Sequence, residues 1–298
     1  MTRAADILVE TLTEHGVDRV FCVPGESYLA VIDAMYDAPA IDVVTTRHEG
    51  GASFMAVADA KMTGKPGIVM VSRGPGATNA AIGIHVAQQD AVPVVMFVGQ
   101  VAREDLGRNA FQEMDYTKTF GDMAKWIVEI TEADKVAENV RRAFTIAQSG
   151  IPGPVIVSLP EDMLLDQTDA PALGPTVISQ PKPDSSDIAE ICDLLAQAKR
   201  PVIIAGGQVG GQAGREALRA VSEAWNVPVA TSWRHQDLFD VDHPNFACHL
   251  AFNMPPIFKD TLNESDLIIA IGTRMGDVVT QGYQLPSAPT PKQKFIHI

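Results

Sequence analysis

The chain has few basic residues, little cysteine and few aromatics, and it lacks a long apolar run. Lys and Arg number 23 against 37 Asp and Glu, a formal charge of −14, and no basic cluster offsets it locally. A phosphate backbone or an anionic bilayer would be repelled by that field, so nucleic acid is excluded as an expected partner. The longest purely apolar stretch, Ala91 to Val98, falls far short of the roughly 20 residues a membrane helix needs. Asp6 and Glu10 break up any N-terminal run that would act as a signal peptide. Three cysteines, Cys22, Cys192 and Cys248, are odd in number and far apart. They form no disulfide framework, and each reads as a small buried hydrophobe. These absences together predict a cytoplasmic chain.

What remains is ordinary globular material. Hydrophobic residues make up 46% and charged ones 20% of 298 residues. At about 150 residues per domain, that length predicts two domains. Residues 1–165 alternate short apolar strands with helical patterns: Arg19–Val23, Ile41–Thr45, Gly67–Val71, Pro93–Val98 and Pro154–Leu159 read as strands. Helical periods lie between them, including Gly50–Met62, the segment after Gly76, and Ala133–Gln148. Residues 166–186 hold Pro171, Pro175, Pro181 and Pro183 among polar neighbours and read as a linker. Alternation resumes over 187–298, with strands at Pro201–Ala205, Val227–Thr231 and Leu267–Ile271. Both domains are therefore expected to be α/β, each a doubly wound parallel sheet. The final residues, Lys294–Ile298, look like a strand beginning, and continuation of the protein beyond them is expected.

Open parallel sheets bind ligands at the carboxyl ends of their strands. The turns there are Pro24-Gly25-Glu26-Ser27, Arg47-His48-Glu49-Gly50-Gly51, Ser72 to Asn79, and Gly99-Gln100. Glu49 opens a helix, where the dipole alone favours a carboxylate. Two following glycines allow a ring or backbone to come close, which suits a carboxyl group that exchanges protons in a dry crevice. The Gly74–Asn79 turn lacks the Gly-Lys-Ser/Thr ending of a phosphate loop and the spacing of a dinucleotide fingerprint. The Gly206–Gly211 turn reads chiefly as a tight turn rather than a dinucleotide site. His243, Cys248 and His249 match no zinc spacing, His85 reads as half-buried, and Glu113 and Asp115 read as a solvated loop.

In order and spacing, these turns resemble the thiamine diphosphate-dependent acetolactate synthase superfamily. The matching pieces are Phe21 to Gly25, Arg47-His48-Glu49, Gly74 to Asn79, Pro93 to Gln100, Phe111-Gln112-Glu113 and Gly153-Pro154-Val155. Arg200 to Gly207 and Asp266 to Arg274 resemble the middle domain. The resemblance implies a pyrimidine-binding domain followed by a Rossmann-like middle domain. It also implies that Glu49 hydrogen-bonds a ring nitrogen of the cofactor's aminopyrimidine and activates it for attack on a 2-oxo acid. By the same match, Pro24, Gly25, Pro75, Asn79 and Gln112 would line the cofactor. Glu26, Ser27, Phe111 and Gln112 would face the substrate. A homodimer or homotetramer is implied, since the family's site forms between subunits.

Two departures shape the expectation. The family's synthases carry two glycines after the first-turn proline, whereas Glu26 and Ser27 follow Gly25 here. Their flavin signature reads Arg-Phe-Asp-Asp-Arg, where this chain has Arg274-Met275-Gly276-Asp277-Val278, so FAD is not expected. The Gly-Asp-Gly that holds Mg2+ and diphosphate belongs to a third, C-terminal domain. Gly121-Asp122-Met123 and Gly276-Asp277-Val278 lack its last glycine, and no metal ligand is expected within these residues. The leading expectation is the N-terminal portion of a decarboxylase or carboligase, inactive alone. One alternative is a subunit of a split enzyme; another is a non-catalytic binding or regulatory protein.

Overall fold

The computed structural model describes residues 1–179 and 181–298; Gln180, inside the stretch expected as a linker, lies outside them. The chain divides into two compact units, Met1–Gln180 and Pro181–Ile298. The first contains strands β1 (Thr2–Arg3), β2 (Arg19–Cys22), β3 (Asp42–Thr45) and β4 (Gly67–Val71). It continues with β5 (Val94–Gln100), β6 (Trp126–Glu129), β7 (Pro154–Pro160) and β8 (Gln167–Thr168). Among the described residues, six of these form one sheet ordered β3-β2-β4-β5-β7-β6, every pairing parallel. β1 and β8 pair antiparallel, so the beginning of the expected linker is a strand of the first unit.

Strand alternation explains why helices cover both faces. Ile68, Met70, Val95, Phe97, Val155 and Val157 point to one side and pack on Leu8, Leu12, Val31, Val140 and Phe144. Those partners belong to the helices Ala4–Glu14, Leu29–Tyr36 and Val136–Gln148. The intervening Val69, Val71, Val94, Met96, Val98 and Ile156 point to the other side. A strand buried on both faces reads as a continuous apolar run, which is how β4 and β5 appear in the sequence. Each such side chain contributes about 1.5–3 kcal/mol on burial.

The second face is lined by small residues. Ala52, Ala56 and Ala60 of the helix Glu49–Thr63 meet Ala77, Ala80 and Ala87 of the helix Pro75–Asp90 over the sheet. Both helices follow parallel strands, run the same way and lie in register. Asn79 hydrogen-bonds Glu49 at one end, Ser53 packs on Gly83 a turn further on, and Lys61 Nζ pairs with Asp90 Oδ2 at 2.6 Å near the other end. The approach at Gly83 is close: a Cβ there would lie 2.5 Å from Ser53 Cβ and 2.7 Å from its carbonyl carbon.

The second unit is a separate parallel sheet of β9 (Pro201–Ala205), β10 (Val229–Thr231), β11 (Phe246–His249), β12 (Leu267–Ile271) and β13 (Lys294–His297). Its order is β11-β10-β9-β12-β13, with all pairings parallel. Ile203, Ala205, Val229 and Ile269 build one core, and Val202, Ile204, Ala230 and Ile268 the other. Both units are thus doubly wound α/β sheets, as the alternation predicts.

Besides the short pair β1 and β8, the elements β6, β11 and the helix Tyr116–Phe120 were not anticipated. β6 and β11 are edge strands whose Trp126, Ile127, Val128, Phe246 and Ala247 are only half-buried, so their apolar runs are short and mixed. Cys22 and Cys248 are buried, but Cys192 is exposed on the helix Ser185–Gln197, which corrects its reading as a buried hydrophobe. Among the described residues, no helix is long and apolar enough to cross a membrane.

The helix register yields a direct test. Gly83→Val forces a side chain into Ser53 and is expected to destabilise the first unit by about 2 kcal/mol. Urea unfolding followed by circular dichroism measures this, and an unchanged midpoint would contradict the close packing.

Candidate active site

The strand order of the first unit reverses beside β2: β3 lies on one side of it and β4 on the other. Such a switch point leaves a crevice beyond the strand ends. The turn Pro24-Gly25 leaves β2 there, and Ser72 to Gly74 leaves β4. The two turns interlock, since a Cβ on Gly25 would lie 2.6 Å from Ser72 Cβ. Ser27 Oγ lies 3.0 Å from Ser72 Oγ and accepts from the Arg73 backbone N–H at 3.1 Å. Ser27 is 1% exposed. The structure therefore places it as a brace between turns, and not on the substrate side. Pro24 and Glu26 stand exposed at the same edge.

Glu49 opens the helix Glu49–Thr63, and His48 caps it by accepting the Gly50 N–H on Nδ1 at 3.0 Å. The Glu49 side chain is half-buried rather than enclosed. Its Oε2 accepts from Asn79 Nδ2 at 2.9 Å. Its Oε1 faces Gly76, where a Cβ would lie 3.5 Å away. Among the described residues no donor reaches Oε1, and nothing stands within 4 Å of a Cβ built on Gly51. The result is a carboxylate fixed from one side, with one oxygen left open beside Gly76. Pro75 and Asn79 are exposed on the neighbouring helix.

The loop 102–115 reaches the same edge. Gly74, with φ +57°, has no room for a side chain, because a Cβ would lie 2.9 Å from the Gln112 carbonyl oxygen. Gln112 itself adopts a left-handed φ of 65°, and Phe111 beside it is 80% exposed. Glu113, read from the sequence as a solvated acid, has a structural task in this loop. Its carboxylate accepts the Gly107 N–H at 2.5 Å and the Ala110 N–H at 3.1 Å, and those bonds hold its pKa below the ordinary value. The buried Tyr116 hydroxyl donates to the Gly99 carbonyl at 3.0 Å and accepts the Gly74 N–H at 3.3 Å. Burial pushes this phenol up to about 12, so it keeps its proton at neutral pH.

Other supports also escaped sequence reasoning. Arg73 Nη1 pairs with Glu161 Oε2 at 2.6 Å and ties the end of β4 to that of β7. Gln100 Nε2 donates to the Met114 carbonyl at 2.9 Å and to Glu129 Oε2 at 3.1 Å. These partners lie far apart in the chain, and no periodicity marks them.

Elsewhere the structure supplies ordinary contacts. In the second unit the His235 ring covers the glycine turn, with Nε2 2.8 Å from where a Gly207 Cβ would stand. His243 Nε2 lies 3.1 Å from Glu223 Oε1, and His249 Nδ1 lies 3.0 Å from Thr231 Oγ1. His85 is exposed, not half-buried as expected. Among the described residues no group of three His, Cys, Asp or Glu could hold a metal ion. A carboxylate held on one oxygen by Asn79, with the other oxygen open beside Gly76, suits the ring of a heteroaromatic cofactor.

A doubly wound α/β architecture with a carboxylate at its switch point is the class these features define. Residues 2–119 match the N-terminal cofactor-binding domain of the thiamine pyrophosphate enzymes, and residues 188–298 match their central domain. The chain belongs to the thiamine pyrophosphate enzyme family, of which it carries the N-terminal and central domains. It is 32% identical, over 99% of its own length and 51% of the relative's, to a probable acetolactate synthase large subunit of Methanocaldococcus jannaschii. Acetolactate synthase of Mycobacterium bovis is 35% identical over 98% of this chain and 48% of the relative. The isozyme 3 large subunit of Escherichia coli is 33% identical over 94% and 50%. The chain spans about half the length of these curated relatives.

The Glu113 loop carries a pH dependence. A depressed carboxyl pKa stabilises the folded loop above the unfolded value and loses that contribution as pH falls through the folded one. Protection of the Gly107 and Ala110 amides, taken relative to the intrinsic exchange rate at each pH, is therefore expected to be high at neutral pH and to fall as pH drops through the depressed Glu113 pKa. Glu113→Gln should remove this pH dependence, and a variant that keeps it would contradict the assignment.

Proposed function

We propose that this chain is the N-terminal portion of a thiamine diphosphate-dependent, acetolactate synthase-like enzyme. In this reading the enzyme decarboxylates a 2-oxo acid and joins the resulting two-carbon unit to an acceptor. One observation carries the reading: the Glu49 carboxylate, held on Oε2 by Asn79, keeps Oε1 open beside Gly76 at the switch point. The names of the curated relatives support the carboligase class.

When bound, the cofactor supplies the electron sink for the bond to the departing carbon dioxide. Glu49 would exchange a proton with the cofactor's aminopyrimidine through Oε1, while Asn79 keeps the carboxylate turned toward it. A carboxylate poised beside a ring nitrogen is a standard form of general acid–base catalysis. Pro24, Gly25, Pro75 and Gln112 would line the ring. Phe111 and Glu26, both exposed at the same edge, would face the substrate. Mg2+ and the diphosphate would be held by a diphosphate-binding domain outside these 298 residues, and these residues alone would be inactive. In this reading no flavin enters the chemistry, because Arg274-Met275-Gly276-Asp277-Val278 departs from the flavin signature of the synthases it resembles. The enzyme would work as a homodimer or homotetramer in the cytoplasm.

Glu49→Gln in the full-length protein is expected to lower kcat by a factor of about 100 or more. The circular dichroism spectrum and melting temperature should be unchanged. Steady-state assays with pyruvate and other 2-oxo acids measure this, and retained turnover would contradict the catalytic role.

A further inference from the structure

The Glu49 carboxylate is half-exposed, yet its orientation traces back to a fully buried group. Tyr116 stands 3% exposed beneath the strand edge, on the short helix Tyr116–Phe120. Its hydroxyl spans two backbones, donating to the Gly99 carbonyl near the end of β5 and accepting the Gly74 N–H. Gly74 precedes the helix Pro75–Asp90 and has no side chain to cap it. Pro75 has no N–H to offer, so the Gly74 N–H is the last backbone donor before the helix and joins the Arg73 N–H in tying this turn to the sheet edge. The Gly74 carbonyl in turn accepts the Thr78 N–H at 3.0 Å and its hydroxyl at 3.3 Å. The next residue is Asn79, which donates to Glu49. A continuous line of hydrogen bonds and backbone thus runs from the sheet interior to the carboxylate.

We propose that Tyr116 is a positioning residue for the active-site carboxylate: its hydroxyl fixes Gly74, and through Thr78 and Asn79 the rotation of Glu49. This rests on the proposed cofactor-activating role of Glu49. The hydroxyl does not touch Glu49 and takes no proton in the reaction. It acts by holding the start of the helix that carries Asn79. Geometric control of this kind is worth a large factor in rate, because small misplacements of a reacting group are costly.

The test compares Tyr116→Phe with Phe120→Leu in the full-length holoenzyme. Phe120 packs near the same ring, at 6.3 Å between centroids, and carries no polar group to hold Gly74. Tyr116→Phe is expected to lower kcat about tenfold while leaving KM for the 2-oxo acid nearly unchanged, with a modest fall in melting temperature from the two buried backbone groups it leaves unpaired. Phe120→Leu is expected to lower the melting temperature at least as much and to spare kcat. In the 298-residue chain, Tyr116→Phe should also speed amide exchange at Gly74 and over Thr78–Asn79. Should Tyr116→Phe fail to fold, Thr78→Val removes the hydroxyl bonds to the Gly74 and Pro75 carbonyls while keeping the Thr78 N–H bond. It loosens the same helix start and should lower kcat by a smaller factor in the same direction, an unchanged kcat overturning the inference.

An unchanged kcat in Tyr116→Phe, or losses in both variants that simply track melting temperature, would overturn the inference. The exchange measurement is independent of turnover. It separates a failure of this inference from a failure of the catalytic reading, which Glu49→Gln reports on its own.

Discussion

The site depends on two helices lying side by side in register. Ser53 packs on Gly83 with no room for another carbon, and one turn earlier on each helix stand Glu49 and Asn79. Because an α-helix repeats every 3.6 residues, fixing one pair of neighbours fixes the pair a turn away. The alanines that line the interface leave only one comfortable distance between the axes, and the Lys61–Asp90 pair fixes the far end. A carboxylate on one helix thereby meets its donor on the other without either residue being enclosed.

The sheet contributes the second constraint. β2 and β4 are neighbours at the point where the strand order reverses, and their exit turns must fit together. Gly25 and Ser72 meet there without room for another carbon, and Ser27 braces the junction from inside. The crevice edge is therefore stiff backbone, and its exposed positions, Pro24 and Glu26, are displayed by it. The second unit repeats the doubly wound plan, yet its glycine turn is covered by the His235 ring. A shared fold does not carry a shared site.

Much of this was legible in the sequence. Strands buried on both faces announce themselves as apolar runs, and β4, β9 and β12 fall where those runs lie. Glu49 and the Gly74–Asn79 turn could be singled out because strand-end turns follow from topology. The supports could not. Tyr116 binds Gly74 and Gly99, Arg73 binds Glu161, and Glu113 binds the backbone of its own loop. Each of these depends on where the chain returns in space, which local periodicity does not encode. Ser27 shows the same limit in reverse: its position beside Glu26 suggested a ligand contact, and a one-residue turn of the backbone sends it inward.

The central claim is that the crevice beside Glu49 receives the ring of thiamine diphosphate. The most direct measurement is calorimetric titration of the cofactor, with Mg2+ present, into the protein purified intact from its native cells. Saturable binding, one cofactor for each copy of this chain, is the predicted result. Absence of binding at millimolar cofactor and Mg2+ would contradict the account.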